Sequence, residues 1–266
     1  MIASFFQSLE RQRVEYLLIS GQATVLYGAA TFSEDIDLWI NPTAGNRARF
    51  LTALQECRAR YYKITPPFTV ELLQRGHGFH FTLPGDEVGE IFLDVLGRPP
   101  RVGSFATVSA TARRMKTDWG TIPTIGIQPL VELKKTQRLE DYPIVSKLVL
   151  AWFRQPECSA AAGDYLWALE NLFTLPELAA FFSEHPVALS YAGQFNADVA
   201  DFGRQCLERG AADEEVEQRV SRFLQSRVAE LQRADRRYWR SILEDLRSLR
   251  AAGALMPEGA PVVAGG

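Results

Sequence analysis

The feature that most limits the fold of this chain is a change of pattern near residue 129. Before that point, short apolar runs alternate with turn-forming residues, which predicts strands mixed with helices. From 129 to 251 the apolar residues recur at helical spacing, and Pro and Gly appear only as breaks. This order predicts an α+β fold, in which a mixed sheet flanked by helices precedes an all-α C-terminal domain.

We therefore divide the chain into a first domain at 1–128, a helical domain at 129–252 and a flexible tail at 253–266. The tail consists mainly of Ala, Gly, Pro and Val, a composition typical of poorly ordered termini. In the first domain the pattern predicts strands at 16–20, 35–40, 79–83 and 90–96, a hairpin at 115–125, and helices at 2–12, 21–27 and 43–60. A further helix is expected to begin at Pro129.

Composition and charge indicate the compartment and the partners of the protein, but they say little about its chemistry. The net charge of −3 does not indicate a nucleic-acid-binding surface over the whole molecule. No uncharged apolar run reaches about 18 residues, so we expect no membrane span and no membrane partner. Cys57, Cys158 and Cys206 are widely spaced and odd in number, which favours a reducing compartment over a disulfide framework. We expect a cytoplasmic protein.

Asp35 and Asp37 are the residues that point most directly to chemistry. They lie two apart in a predicted strand, so both carboxylates face the same side, while Ile36 and Leu38 face the core. Two neighbouring carboxylates repel each other and need either a cation or a raised pKa. With only oxygen donors nearby, the pair favours Mg²⁺ or Mn²⁺, as in two-metal phosphoryl transfer.

Two further segments extend this pair into a candidate site. Asp94 follows three apolar residues in a later strand and is the first candidate for a third carboxylate, with Glu90 as the weaker alternative. Upstream, a strand runs directly into Gly21 and Gln22 at the start of a helix. Glycine there lets a ligand approach the backbone closely, which suggests contact with phosphate groups. His77 or His80 is expected to border the site, because their strand should pair with that of Asp94.

In this order, the segments resemble the DNA polymerase β-like nucleotidyltransferase superfamily. Residues 130–141 resemble the signature of the bacterial minimal nucleotidyltransferases, a group that contains abortive-infection toxins and small antibiotic nucleotidyltransferases. The resemblance covers about residues 14–141 and is carried by 20–23, 33–38, 92–94 and 130–141. It implies a nucleotidyltransferase fold for the first domain. It also implies that Asp35, Asp37 and Asp94 bind the metal and carry the catalysis.

The resemblance also assigns a nucleotide-binding role to four residues, Gly21, Gln22, Lys134 and Arg138. Lys134, Arg138 and Asp141 share one face if their helix continues, so the two cations would clamp the triphosphate while Asp141 orients them. In the alternative, Asp141 caps a following helix, with Pro143 in its first turn.

The function that follows is transfer of a nucleoside monophosphate from an NTP to an acceptor hydroxyl. The acceptor is an RNA end such as a tRNA terminus, a protein side chain or a small molecule, and the sequence does not choose among them. The toxin relatives suggest an antitoxin as a further partner. Gly21-Gln22 replaces the usual Gly-Gly or Gly-Ser pair, and no Arg precedes the acidic pair. These differences motivate the alternative of a catalytically silent binding protein with the same fold.

Overall fold

The computed structural model describes residues 2–85 and 89–263, and the chain separates into two compact units. The first unit comprises residues 1–26, 30–133 and 237–266. The second comprises 27–29 and 134–236. The first boundary lies close to the predicted one at 128/129. The second differs from prediction, because residues 237–252 group with the unit that holds the sheet rather than with the helical segment.

The first unit is built on a mixed sheet. Its strands in the described residues are β1 (Tyr16–Ile19), β2 (Ile36–Ile40), β3 (Arg60–Tyr61), β4 (Gly78–Pro84), β5 (Glu90–Leu96), β6 (Arg113–Thr117) and β7 (Gly120–Thr124). They lie in the order β3-β4-β5-β2-β1-β7-β6. The β1–β7 and β2–β5 pairs are parallel and the remaining pairs are antiparallel. The expected mixed sheet flanked by helices is therefore confirmed.

The helices of this unit cover the sheet with apolar side chains. They are α1 (Ile2–Arg11), α2 (Ser20–Leu26), α3 (Ala44–Glu56), α4 (Val70–Arg75), α5 (Phe105–Ser109) and α6 (Ile127–Lys134), whose last residue falls in the second unit. Phe5 of α1, Leu54 of α3 and Leu73 of α4 belong to one buried cluster with the sheet. The sequence did not predict β3, α4 or α5, because these elements are too short for a clear apolar period.

The two faces of the central strands have different chemistry, because side chains alternate along a strand. Leu38, Phe81, Leu93 and Val95 belong to the buried cluster with α1, α3 and α4. Their strand neighbours occupy the opposite face, and Asp37, His80, Thr82 and Asp94 are polar residues among them. The alternation predicted for β2 thus puts an apolar core on one side of the sheet and carboxylates on the other.

The second unit contains helices as its regular elements in the described residues. They are α7 (Asp141–Trp152), α8 (Ala162–Asn171), α9 (Leu175–Glu184), a 3-10 turn (Pro186–Ala188), α10 (Leu189–Phe195), α11 (Ala197–Arg209) and the first part of α12 (Glu214–Ala251). Its core is aromatic and aliphatic and includes Phe181, Phe182 and Phe202. Gly203 packs so closely that an added Cβ would lie 2.7 Å from the Phe182 ring. Large aromatic side chains therefore set the spacing of these helices.

The C-terminal segment differs from the expected flexible tail as far as residue 263, and residues 264–266 of that tail lie outside the described residues. The amide of Tyr61 donates to the Ala260 carbonyl at 2.9 Å, and the amide of Met256 donates to the Thr65 carbonyl at 2.9 Å. Val262 is buried against the first-unit core. The segment is ordered because β3 offers unpaired backbone groups that it satisfies. None of the helices in the described residues combines the length and apolar character needed to span a bilayer.

Candidate active site

The candidate site is centred on the parallel pair β2 and β5. Asp37 of β2 lies directly beside Asp94 of β5 in the register of this pair. Neighbouring strands are about 4.8 Å apart, so the two carboxylates leave the sheet side by side on the same face. Glu90, the weaker candidate for the third carboxylate, lies at the start of β5 opposite Pro84. Asp94, and not Glu90, is therefore the β5 acid that meets the Asp-x-Asp strand.

His80 extends this row of polar side chains onto a third strand. It lies opposite Asp94 in the antiparallel pair β4–β5, and its Nδ1 is 2.7 Å from the Asp94 Oδ1. Both side chains are about 30% exposed, so the pair is open to ligands. The prediction that the histidine strand pairs with the Asp94 strand is confirmed. His77, by contrast, is fully buried, with its Nε2 3.3 Å from the Asp245 Oδ2.

Asp35 immediately precedes β2, and charged residues of the same cluster shift the pKa of its carboxyl. Burial raises the pKa of the Asp35 carboxyl above its usual value, and the negative charge of Asp94 raises it further. Lys63 and His80 act in the opposite direction on this pKa. A raised carboxyl pKa beside a second carboxylate is the condition that a bound cation relieves. Lys63, which follows β3, was not anticipated from the sequence because β3 itself was not.

The donor chemistry of Asp35, Asp37 and Asp94 fits a hard divalent cation, since all three supply carboxylate oxygens. Across residues 2–85 and 89–263, no three His, Cys, Asp or Glu side chains already form a metal-binding group. Asp94 instead contacts His80. The backbone places Asp37 and Asp94 side by side on one face, with Asp35 immediately before β2, and Asp94 would bind a cation through Oδ2 while its Oδ1 contacts His80.

Gly21 and Gln22 shape the loop that leads to Asp35. A Cβ on Gly21 would lie 2.2 Å from the Ser33 Oγ, so only glycine leaves room for this loop. The Gln22 side-chain amide donates to the Ser33 carbonyl at 2.7 Å. The chain turns from β1 into α2 at Ser20, which has a left-handed φ of 56°. In this structure both predicted phosphate-binding residues therefore hold the Asp35 loop, and their phosphate contact stays a prediction.

Lys134 and Arg138 belong to the second unit, where both contact Asp141. The Lys134 Nζ lies 3.1 Å from the Asp141 Oδ1, and both side chains are at least nine-tenths buried. The Arg138 side chain is 64% exposed, with its Nε 3.6 Å from the Asp141 Oδ2. The helix that contains Lys134 ends there, so the expectation that Lys134, Arg138 and Asp141 share one helix face was wrong. The alternative, in which Asp141 caps a following helix, agrees better with the structure. Asp141 is the first residue of α7, directly after its N-cap Glu140, and Pro143 lies in the first turn.

The raised pKa of Asp35 leads to a prediction about stability. Because the folded-state pKa lies above the unfolded value of about 3.9, ionising Asp35 weakens the folded state as pH rises through that interval. Asp35→Asn is expected to raise the melting temperature at pH 7 without divalent cations, and the gain should vanish below about pH 3.9. Thermal unfolding followed from about pH 3.5 to about pH 8 measures the difference in melting temperature.

The matched control is Asp118→Asn, which makes the same replacement at an exposed acid in the β6–β7 turn. This control should not show the same pH-dependent gain. If Asp35→Asn and Asp118→Asn change stability equally at all pH values, the electrostatic description of Asp35 is wrong.

In comparisons with known proteins, no protein-family model matches the chain, and no curated protein matches it in sequence.

Proposed function

We propose that the first unit is a divalent-cation-dependent nucleotidyltransferase of the DNA polymerase β-like kind, which transfers NMP from an NTP to an acceptor hydroxyl. The observation that carries the proposal is the side-by-side register of Asp37 and Asp94 on one sheet face, with Asp35 electrostatically coupled to Asp94. Two acids side by side on an open face, with a third immediately before the strand and the core on the opposite face, serve a ligand better than they serve stability.

In the proposed reaction, the acceptor oxygen attacks the α-phosphorus of the NTP. The bond from that phosphorus to the oxygen of the β-phosphate breaks, and pyrophosphate leaves. Asp35, Asp37 and Asp94 would hold Mg²⁺ or Mn²⁺, which when bound neutralises phosphate charge and favours deprotonation of the acceptor hydroxyl. His80 would position Asp94 through its 2.7 Å contact. Most of the rate would come from positioning and electrostatics.

A catalytically silent binding protein is the second candidate. Two contacts favour it: the Asp94 carboxylate is engaged by His80, and the Gln22 amide is engaged by the Ser33 carbonyl rather than directed to a ligand. In that case the partner would be a protein, such as the antitoxin of a toxin–antitoxin pair. The active enzyme remains the better proposal, because the acids lie on an open face.

Titration with Mg²⁺ complexes of ATP, GTP, CTP and UTP separates the two candidates. The enzyme is expected to bind at least one of them only when Mg²⁺ is present. The Asp35→Ala/Asp37→Ala variant should lose that binding, because both cation-holding carboxylates are gone. Asp118→Ala, which removes an exposed acid elsewhere in the first unit, should bind like the unaltered protein. A folded protein that binds none of the four complexes would rule out the NTP-using mechanism.

A further inference from the structure

A cavity of about 810 Å³ lies in the first unit beside the carboxylate cluster. Its walls come from the chain after β3, from β4, from the last turns of α12 and from the C-terminal segment. The lining residues are Lys63, Ile64, His80, Leu243, Leu246, Arg247, Arg250, Leu255, Met256 and Glu258. The volume falls within the roughly 300–1,000 Å³ typical of small-molecule sites.

The apolar side chains that line this cavity are more exposed than most large apolar side chains of the first unit. Leu243 is 48% exposed and Ile64 is 45% exposed, although most large apolar side chains of this unit are buried. Leu246, Leu255 and Met256 continue the same wall and are only partly covered. Grouped apolar side chains that a fold leaves open mark a binding surface, because covering them with a ligand removes apolar area from water.

The charged part of the cavity is positive. Lys63, Arg247 and Arg250 line it, and Glu258 is the only acid among the lining residues. Within residues 2–85 and 89–263 these three cations form no ion pair. Asp245, a nearby acid of α12, is engaged by Arg75 and His77. Cations that a fold leaves without a carboxylate partner are available to an anionic ligand, and Arg in particular suits phosphate and carboxylate groups.

The wall that carries these residues is held in place. Leu243, Leu246, Arg247 and Arg250 are spaced three or four apart, so they share one face of α12. Two backbone contacts anchor the chain that follows, from the Met256 amide to Thr65 and from the Tyr61 amide to Ala260. Because these contacts fix the wall before any ligand arrives, binding requires little ordering of the chain.

His80 connects the cavity to the candidate active site. It lines the cavity and also contacts Asp94 at 2.7 Å. Lys63 also lines the cavity. We propose that this cavity is the acceptor subsite, and that the acceptor is a small amphipathic anion with an apolar or aromatic body, a phosphate or carboxylate group and the hydroxyl that receives the NMP. This assignment rests on the proposed nucleotidyltransferase function and names the class of its second substrate.

Isothermal titration calorimetry with three probes tests the chemistry of the cavity. The probes are 1-naphthyl phosphate, which has both an apolar body and an anion, 1-naphthol, which has only the body, and inorganic phosphate. We expect 1-naphthyl phosphate to bind at least about tenfold more tightly than either of the others, because only it uses both parts of the cavity. Equal affinities for all three, or no binding of 1-naphthyl phosphate, would overturn the proposal.

Variants locate that binding. Arg247→Gln/Arg250→Gln and, separately, Leu243→Asp are each expected to weaken 1-naphthyl phosphate binding by about tenfold or more, because one removes the cations and the other puts an acid on the apolar wall. Leu243 is half exposed, so its replacement should leave the fold intact. The matched control, Arg240→Gln, changes an exposed arginine of the same helix outside the cavity and should bind normally.

Mg²⁺–NTP titration of the same variants separates this proposal from the function on which it rests. Arg247→Gln/Arg250→Gln should still bind the nucleotide, and Asp35→Ala/Asp37→Ala should still bind 1-naphthyl phosphate. If the arginine variant loses nucleotide binding, the cavity holds the NTP and the acceptor assignment is wrong. If the arginine variant binds 1-naphthyl phosphate normally while the protein still binds nucleotide, the acceptor assignment fails alone and the nucleotidyltransferase proposal stands.

Discussion

Asp37→Asn is expected to lower NMP transfer by about 10²–10³-fold, because it removes the carboxylate that lies beside Asp94 across the sheet and two residues after Asp35. An amide cannot balance the charge of a divalent cation as a carboxylate does, so stabilisation of the transferring phosphate falls by several kcal/mol, a loss that corresponds to such a factor. The Asp37 side chain faces away from the apolar core, so the folded structure should survive the change.

The measurement is transfer of label from α-labelled NTPs into RNA, protein and small-molecule fractions, with circular dichroism to confirm folding. Asp118→Asn is the matched control, because it makes the same chemical change at an exposed acid in the β6–β7 turn. It should keep transfer within about twofold of the unaltered protein. Full transfer by folded Asp37→Asn would remove this carboxylate from the mechanism.

Asp141→Ala is expected to lower the free energy of unfolding by about 3–5 kcal/mol, the second large effect. The change leaves the Lys134 ammonium group buried without its carboxylate partner, which lies 3.1 Å away in the structure. It also removes the acceptor of the Thr136 hydroxyl and an acidic residue from the first turn of α7. These losses act together, because Asp141 is the common partner of the Lys134 and Thr136 contacts.

Urea unfolding at pH 7 measures this effect. Arg138→Ala is the matched control, since it removes the other cation beside Asp141 but from a side chain that is 64% exposed. Its cost should stay below about 1 kcal/mol, as is usual for exposed ion pairs. An Asp141→Ala variant as stable as Arg138→Ala would show that the buried pair does not stabilise the second unit.

A third variant tests the predicted clamp, in which Lys134 and Arg138 would bind the triphosphate. The Lys134→Met variant removes the ammonium group while keeping an apolar side chain of similar length, and it leaves Asp141 with its Thr136 contact. If Lys134 holds only the fold, the variant should change stability and leave Mg²⁺–NTP affinity intact. A fall in nucleotide affinity without loss of stability would support the clamp that the resemblance implies.

Local pattern was enough to predict the strands that carry the site. The alternation around Asp35 and Asp37 predicted β2 to within one residue, and the apolar run before Asp94 predicted β5 at its observed bounds. Both follow from side-chain periodicity, which depends only on neighbours in the chain. The same reasoning was wrong for residues 134–141, for which it predicted one continuous helix. The structure has a short connection there, between the end of α6 at Lys134 and the start of α7 at Asp141, and the apolar spacing on either side does not reveal this break.

The sequence by itself determined that Asp37 lies in a strand whose apolar residues face the core, that Asp94 lies in a later apolar strand, and that helices dominate after residue 129. Only the tertiary structure decided that Asp94 lies beside Asp37, that His80 contacts Asp94, and that Lys63 joins them. It also decided that residues 256–262 pack beside β3 and Thr65. The physical reason is that register and long-range pairing depend on which distant backbone groups and apolar faces satisfy one another, and no local pattern encodes that choice.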